Sequence, residues 1–204
     1  MSGRPSRRSP LAMALLALLA EAPTHAYRLR ELIRERRKDQ VVNVAQRNSV
    51  YQTLDRLLRD ELVQVRDTER VGDRPERTVY ELTDEGAATL DGWLREMLST
   101  PAREFPEFPA ALAFLPLLTP DAALTLLARR AEALRRTLAD LDAEEARVAG
   151  ALPRVVLLEG EYQRATALAE LRWLEAVTED LRTGALDWNR EDLDAIAARF
   201  EPRG

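Results

Sequence analysis

The spacing of the apolar residues is the feature that most restricts the fold of this chain. In most of the sequence, apolar residues recur three or four positions apart, which is the period of a helix with one buried face. Residues 62–66 and 78–82 differ, because apolar and polar residues alternate there as they do in strands. The pattern therefore predicts a mainly α-helical fold that contains one β-hairpin.

Two helices are predicted in the first 40 residues. Ser9 and Pro10 are typical of an N-cap and a first helical position, and they precede a leucine-rich run. Thr24 is the predicted N-cap of the second helix, which extends to about Arg37. The basic start and the apolar run also imitate a secretory signal peptide. Because Pro23 directly follows the candidate cleavage site, we expect a buried first helix and a cytoplasmic protein.

A third helix is predicted after the polar stretch at residues 39–46. Val50, Leu54 and Leu57 recur at helical spacing and define its buried side. The opposite side carries residue types that hydrogen-bond to base edges and phosphates, namely Asn48, Ser49, Gln52, Asp55, Arg56 and Arg59. We expect this helix to lie in the major groove of duplex DNA.

The tip of the predicted hairpin combines turn-forming residues with cations. Residues 67–77 contain a glycine, a proline and the arginines Arg70, Arg74 and Arg77. Three helices followed by a hairpin with a cationic tip predict a winged helix-turn-helix. In that fold the third helix enters the major groove and the hairpin, or wing, lies along the adjacent backbone.

Charge is distributed unevenly along the chain. Residues 1–80 contain 16 Lys and Arg against 11 Asp and Glu, whereas residues 81–204 contain 14 against 24. The net charge of -5 is therefore the sum of a basic N-terminal part and an acidic remainder. The basic part suits a polyanionic partner.

Several motifs resemble those of the PadR family of winged-helix regulators over about residues 10–98. The matching segments are a leucine-rich first helix followed by His25-Ala26-Tyr27, the run from Ser49 to Leu57, the wing from Gly72 to Arg77, and above all the run from Tyr80 to Gly86. The chain departs from the family at two positions. Ala26 replaces a glycine, and Glu61 replaces the usual glycine before Leu62-Val63.

The resemblance implies roles for individual residues in DNA binding. Tyr51 would touch phosphate or groove, and Tyr27 and the wing arginines would hold the backbone, although packing between helices is the alternative for both tyrosines. Together with the polar side of the third helix, the predicted DNA-binding set is Tyr27, Asn48, Ser49, Tyr51, Gln52, Arg56, Arg70, Arg74 and Arg77.

Catalysis and metal binding find little support in the composition. Cysteine is absent and His25 is the only histidine, which excludes disulfides and zinc fingers and restricts any Ser-His-Asp triad to His25. No carboxylate pair, activated nucleophile or glycine-rich phosphate loop stands out, so we expect no enzyme activity, cofactor or metal. We expect His25 to be the polar residue at a helix start, not a ligand or a pH switch.

A second helical domain is predicted in the acidic part of the chain. Five prolines between residues 99 and 120 leave room for only a short helix at residues 110–118. A long helix begins at Pro120 and ends before Gly150, and a final helix covers about residues 155–182. The predicted domains are therefore 1–86, the winged helix-turn-helix; 87–120, a connecting helix and proline-rich linker; and 121–204, a helical dimerisation and effector domain.

Leucines at heptad spacing, as in a coiled coil, predict that the long helices pair with others. Pairing within one subunit and pairing between subunits both satisfy this pattern. We favour a homodimer, because two winged helices would read a pseudo-palindromic operator and one reads few base pairs. The residues assigned to dimerisation are Leu124, Leu127, Leu134, Leu138, Leu141, Leu168 and Leu171.

Aromatic residues in the same region suggest a site for a small hydrophobic or aromatic effector. The candidates are Trp93, Phe105, Phe108 and Phe114, and ordinary core packing is the alternative for each of them. The resulting hypothesis is a dimeric PadR-like repressor that binds double-stranded DNA, is released by a small molecule and has no membrane partner. The alternative is a protein–protein interaction module on a winged-helix scaffold without DNA binding.

Overall fold

The computed structural model describes residues 8–44, 47–69, 77–189 and 191. The chain divides into two compact units, Met1–Arg103 and Glu104–Gly204. This division falls inside the segment that the sequence assigns to the linker, because the connecting helix packs with the first unit and the proline-rich segment leads into the second.

The first unit consists of four helices and a small sheet. Its elements in chain order are α1 (Pro10–Glu21), β1 (Thr24–His25), α2 (Ala26–Glu35), α3 (Arg47–Arg59), β2 (Val63–Glu69), β3 (Arg77–Leu82) and α4 (Asp84–Ser99), with a 3-10 turn at Lys38–Gln40. The three predicted helices and the hairpin are confirmed.

Helix α1 lies in the core of this unit. Leu15 and Leu16 are fully buried and pack with Leu29 of α2 and with Leu54 of α3. Ser9 is the N-cap, because its Oγ accepts a hydrogen bond from the backbone N–H of Ala12 at 3.1 Å. The buried first helix predicted from the leucine spacing is therefore confirmed.

The start of α2 corrects one prediction. Thr24 is not the N-cap, because its extended backbone pairs with Tyr80 as part of β1. His25 is the N-cap, and its Nδ1 accepts a hydrogen bond from the backbone N–H of Arg28 at 3.0 Å. The expectation that His25 is the polar residue at a helix start is confirmed.

The sheet is antiparallel and has the strand order β1-β3-β2. The pairing of β2 with β3 runs from Val63 opposite Leu82 to Glu69 opposite Arg77, with a bulge between Val65 and Asp67. Strand β1 was not predicted, because two residues are too few to show an alternating pattern.

Two tight junctions fix α3 and α4 on the sheet. At the end of α3, the N–H groups of Glu61 and Leu62 donate to the carbonyls of Leu58 and Leu57 in a Schellman motif. At the start of α4, the Oγ1 of Thr83 accepts from the N–H of Gly86 at 3.0 Å and donates to the carbonyl of Glu61 at 2.8 Å. Strand β3 therefore passes directly into α4.

The second unit is built on two long helices. Its elements are α5 (Glu107–Leu112), α6 (Pro120–Val148) and α7 (Leu158–Thr183), with 3-10 turns at Leu115–Leu117 and Arg154–Val156. Helices α6 and α7 form an antiparallel pair, in which Arg130 contacts Glu170 and Arg164 contacts Asp142. The short helix predicted at residues 110–118 instead covers Glu107–Leu112. It begins earlier because Pro109 is tolerated in the first helical turn, where a backbone N–H has no partner within the helix and its absence costs little.

Candidate nucleic-acid interface

One stripe of α3 is buried and the opposite stripe faces solvent. Val50, Leu54 and Leu57 are fully buried in the core of the first unit. Asn48 and Gln52 are exposed one turn apart on the other side of the helix, which is where the sequence predicted polar contacts. The first unit therefore does not cover the stripe that would enter a groove.

Arg59 extends the exposed stripe and was left out of the predicted DNA-binding set. It lies eleven residues after Asn48, which is about three helical turns, so both residues share one side of α3. Its side chain is exposed, and its Nε donates to the backbone carbonyl of Asp55 at 3.3 Å. The helical period alone could have identified this residue.

Ser49 and Arg56 lie at the edge of the exposed stripe. Ser49 is half-buried, and its carbonyl accepts from the Oγ1 of Thr53 at 2.7 Å. The Nη2 of Arg56 lies 3.4 Å from the Oγ of Ser9, which is the N-cap of α1. The Nε of Arg56 is buried and has no hydrogen-bond partner among the described residues. Arg56 thus joins α3 to the beginning of α1.

Tyr51 borders the exposed stripe on the side that faces the sheet, and it is 47% exposed. Burial, together with the nearby Asp55 carboxylate and the Tyr51 phenol, raises the pKa of Tyr80 on β3 above its usual value. Tyr51 thus keeps about half of its surface free.

Tyr27, His25 and Arg77 come together at the end of β3 that is next to the wing tip. The Nε2 of His25 lies 3.4 Å from the Nη1 of Arg77, and the rings of His25 and Tyr27 stack with centroids 6.3 Å apart. A hydrogen bond with Glu31 raises the pKa of the Tyr27 phenol, while Arg77 and Arg30 oppose that shift. Two predicted backbone contacts, Tyr27 and Arg77, are therefore neighbours in space.

The other two predicted wing contacts, Arg70 and Arg74, lie outside the described residues. Nearer the base of the wing, the Nε of Arg66 lies 3.9 Å from Glu81, whose carboxylate also accepts from Gln64 at 2.7 Å. Arg66 is therefore partly neutralised within the sheet.

Ion pairs divide the remaining arginines of the first unit into two groups. Arg28 pairs with Glu35 at 2.7 Å, and Arg36 pairs with Glu21 at 2.5 Å, so these cations are neutralised internally. In contrast, Arg30, Arg34, Arg59 and Arg77 form no ion pair with any carboxylate in the described part of the chain. Arg59 lies on α3 and Arg77 on the wing, so cations without an ion pair on these two elements favour an anionic partner.

Comparison with known proteins agrees with this geometry. Residues 15–92, which contain α3, the wing and Tyr27, match the Transcriptional regulator PadR-like family. We call this segment the PadR-like domain because of that similarity. The resemblance and the winged-helix fold class predicted from the sequence are confirmed.

Solved structures share the fold of this chain over most of its length. Bacillus subtilis PadR in complex with operator DNA is 22% identical, with 85% of this chain and 99% of that chain covered at a TM-score of 0.66. The same protein in complex with p-coumaric acid is 20% identical, with 84% and 98% covered at 0.67. The Vibrio cholerae virulence activator AphA is 19% identical, with 85% and 98% covered at 0.63. No curated protein matches the sequence significantly.

The aromatic residues assigned to an effector are divided between the two units. Trp93 packs against the core of the PadR-like domain. In the second unit, Phe108 makes an edge-to-face contact with Trp173 at 6.1 Å and lies under the guanidinium of Arg130 at 3.6 Å. Phe105 and Phe114 are exposed. Within neither unit does the structure bring all four aromatics together.

The leucines assigned to dimerisation contribute to the packing of α6 on α7 within one chain. Leu127, Leu138 and Leu171 are buried in the core of the second unit, Leu124, Leu134 and Leu168 pack against it, and Leu141 is half-buried. This burial corresponds to pairing within a subunit, one of the two alternatives that the leucine spacing left open. Dimerisation itself stays a prediction.

No helix in the described part of the chain has both the length and the apolar content required to span a bilayer.

Proposed function

We propose that the chain is a DNA-binding transcription regulator whose PadR-like domain reads duplex DNA through α3. The observation that carries this proposal is the exposed stripe of Asn48, Gln52 and Arg59 on a helix whose other side is fully buried. Amide side chains bind adenine edges and arginine binds guanine or phosphate, so this stripe carries the chemistry of base recognition. The helix is also narrow enough to enter a major groove.

The wing and the start of α2 hold the DNA backbone in this proposal. Arg77 and Tyr27 contact phosphates beside the groove, and Arg70 and Arg74 do so from the wing tip. Ser49 and Tyr51 border the stripe and contact the groove or the adjacent sugar–phosphate backbone. Arg56, which touches the N-cap of α1, is assigned to the orientation of α3.

The regulator acts as a homodimer on a pseudo-palindromic operator, with each PadR-like domain on one half-site. A small hydrophobic or aromatic molecule releases it from DNA, so the outcome is repression in the absence of that molecule. Support comes from the likeness to Bacillus subtilis PadR, whose structures contain operator DNA in one case and p-coumaric acid in another. Phe108 beside Trp173 and Arg130 is the best-formed aromatic cluster for such a molecule. Titration of tryptophan fluorescence with p-coumaric acid tests this, and an unchanged signal would contradict it.

The DNA-binding proposal is tested by selecting duplexes from a random library with the purified chain and then measuring affinity against salt. Gln52→Ala should change the preferred sequence. Arg77→Gln should weaken binding to all sequences about equally and reduce the slope of log K against log salt by about one, because one phosphate contact is lost. Arg56→Ala should leave the preferred sequence unchanged.

The matched control is Arg95→Gln, which makes the same charge change. Arg95 is neutralised by Asp91 on α4 at 2.7 Å, so this variant should bind as the wild type does. Selection of no duplex by the wild-type chain would contradict the proposal and favour the protein–protein interaction module instead.

A further inference from the structure

His25 has a fixed pattern of hydrogen-bond donors and acceptors. Its Nδ1 accepts the backbone N–H of Arg28 at 3.0 Å. A backbone N–H can only donate, so Nδ1 must carry a lone pair. In a neutral imidazole the single proton then lies on Nε2, which makes Nε2 a donor.

The group beside the Nε2–H of His25 is also a hydrogen-bond donor. The Nη1 of Arg77 lies 3.4 Å from Nε2, and a guanidinium nitrogen cannot accept a hydrogen bond. The two groups therefore approach each other without bonding. Such a close pair of donors is stabilised by an acceptor that both can reach, and an anionic oxygen serves best beside a cation.

The sheet holds both groups in place. His25 on β1 lies opposite Val79 on β3, so Arg77, two residues before Val79, is its diagonal neighbour on the same side of the sheet. Capping by Nδ1 further fixes the orientation of the imidazole ring. The juxtaposition is thus built into the register of β1 and β3.

No acceptor within the described residues fills this position. Arg77 has no carboxylate partner there, and the nearby Glu31 interacts with Arg28 and with the Tyr27 phenol. One external anion in reach of both groups would accept a hydrogen bond from each of them.

We propose that the Nε2–H of His25 and the Nη1–H of Arg77 form a two-donor site for one backbone phosphate of the bound duplex. The assignment rests on the proposed function and gives His25 two roles, as N-cap of α2 and as a phosphate ligand. Phosphate fits because it presents several strong acceptor oxygens and because Arg77 begins β3, the second strand of the wing.

The tautomer provides a test that does not depend on DNA affinity. Because His25 is the only histidine, nitrogen NMR of the imidazole reports on this residue without assignment. We expect the Nε2–H tautomer in the free chain, and a shift of the Nε2 resonance when a short duplex of arbitrary sequence is added at low salt. An Nδ1–H tautomer, or an Nε2 resonance unchanged by a duplex that binds, would overturn the site.

Binding by variants tests whether the two donors share one phosphate. His25→Asn keeps a good N-cap and removes the Nε2–H, so its melting temperature should stay near that of the wild type while affinity for every duplex falls about tenfold. In an Arg77→Gln background the same substitution should have a much smaller effect, because the shared contact is already weakened. In the Arg95→Gln background the full effect should remain.

Failure of the proposed function and failure of the phosphate site give different results. If the wild-type chain binds no duplex, the proposed function is wrong and the phosphate assignment falls with it. If the wild type binds and His25→Asn binds equally well, or if the effects of the two substitutions are additive, only the phosphate assignment is wrong.

Discussion

At the scale of single residues, Glu61 holds a backbone conformation that costs energy. Its φ of 57° lies in the left-handed region, where a side chain at the end of a helix is strained and glycine is usual. The Schellman hydrogen bonds at the end of α3 keep it there. The resemblance to the PadR family already indicated that Glu61 replaces a glycine. The left-handed backbone at this position explains why glycine is favoured there.

Glu61→Gly should therefore stabilise the protein. We expect the free energy of unfolding to rise by about 1 kcal/mol, because the left-handed conformation then carries no Cβ penalty. Urea denaturation gives the change directly. A loss of stability would show that the strain at Glu61 is compensated by contacts of its side chain.

Gly86 is needed for a close approach of two backbones. A Cβ at this position would lie 2.0 Å from the carbonyl oxygen of Leu62, whereas a Cβ at Gly92 in the same helix would meet nothing within 4 Å. The resemblance singled out Gly86 by its motif, but no local pattern could predict this contact, because Leu62 is distant in sequence.

Gly86→Ala should destabilise the protein by about 2 kcal/mol or more, because α4 must move away from the start of β2. Gly92→Ala is the matched control and should stabilise it by up to about 1 kcal/mol, since alanine favours an exposed helix interior. Thermal melting of both variants measures the contrast. Equal effects of the two substitutions would mean that α4 and the start of β2 can separate enough to accept a Cβ at position 86 without loss of stability.

At the scale of elements, α3 was predictable because its sequence alone separates its two sides. Val50, Leu54 and Leu57 mark the buried stripe, and the exposed stripe follows by elimination. Helix caps were predictable where only one polar residue was available, as at Ser9. At the start of α2 two candidates were adjacent, and pairing with a strand more than 50 residues away decided between them. Long-range pairing of this kind leaves no local signal.

At the scale of the whole molecule, the first unit contains 18 Lys and Arg against 16 Asp and Glu, and the acidic second unit contains 12 against 19. The sequence predicted α6 and α7, but leucine spacing could not tell whether they pair within a chain or between chains, because both bury the same side chains. In the structure they pair within the chain, and apolar side chains such as Leu126, Leu158 and Tyr162 remain exposed. These are available to a second copy.

Sedimentation equilibrium should therefore give the mass of two chains at micromolar concentration. Exposed apolar side chains on two long helices can bury enough surface between copies to hold a dimer. Leu126→Glu should raise the monomer fraction, because it would place a charge in that interface. A monomer mass for the wild type over the whole concentration range would contradict the homodimer.

The central claim is that the exposed stripe of α3 lies in duplex DNA, and photocrosslinking tests it most directly. A photoreactive amino acid at position 52 should crosslink to a duplex selected by the wild-type chain, since Gln52 faces solvent in the middle of the stripe. The same group at position 172, an exposed position on α7, should not. Efficient crosslinking from position 52 alone is the result we predict, and crosslinking from neither position, or equally from both, would contradict the account.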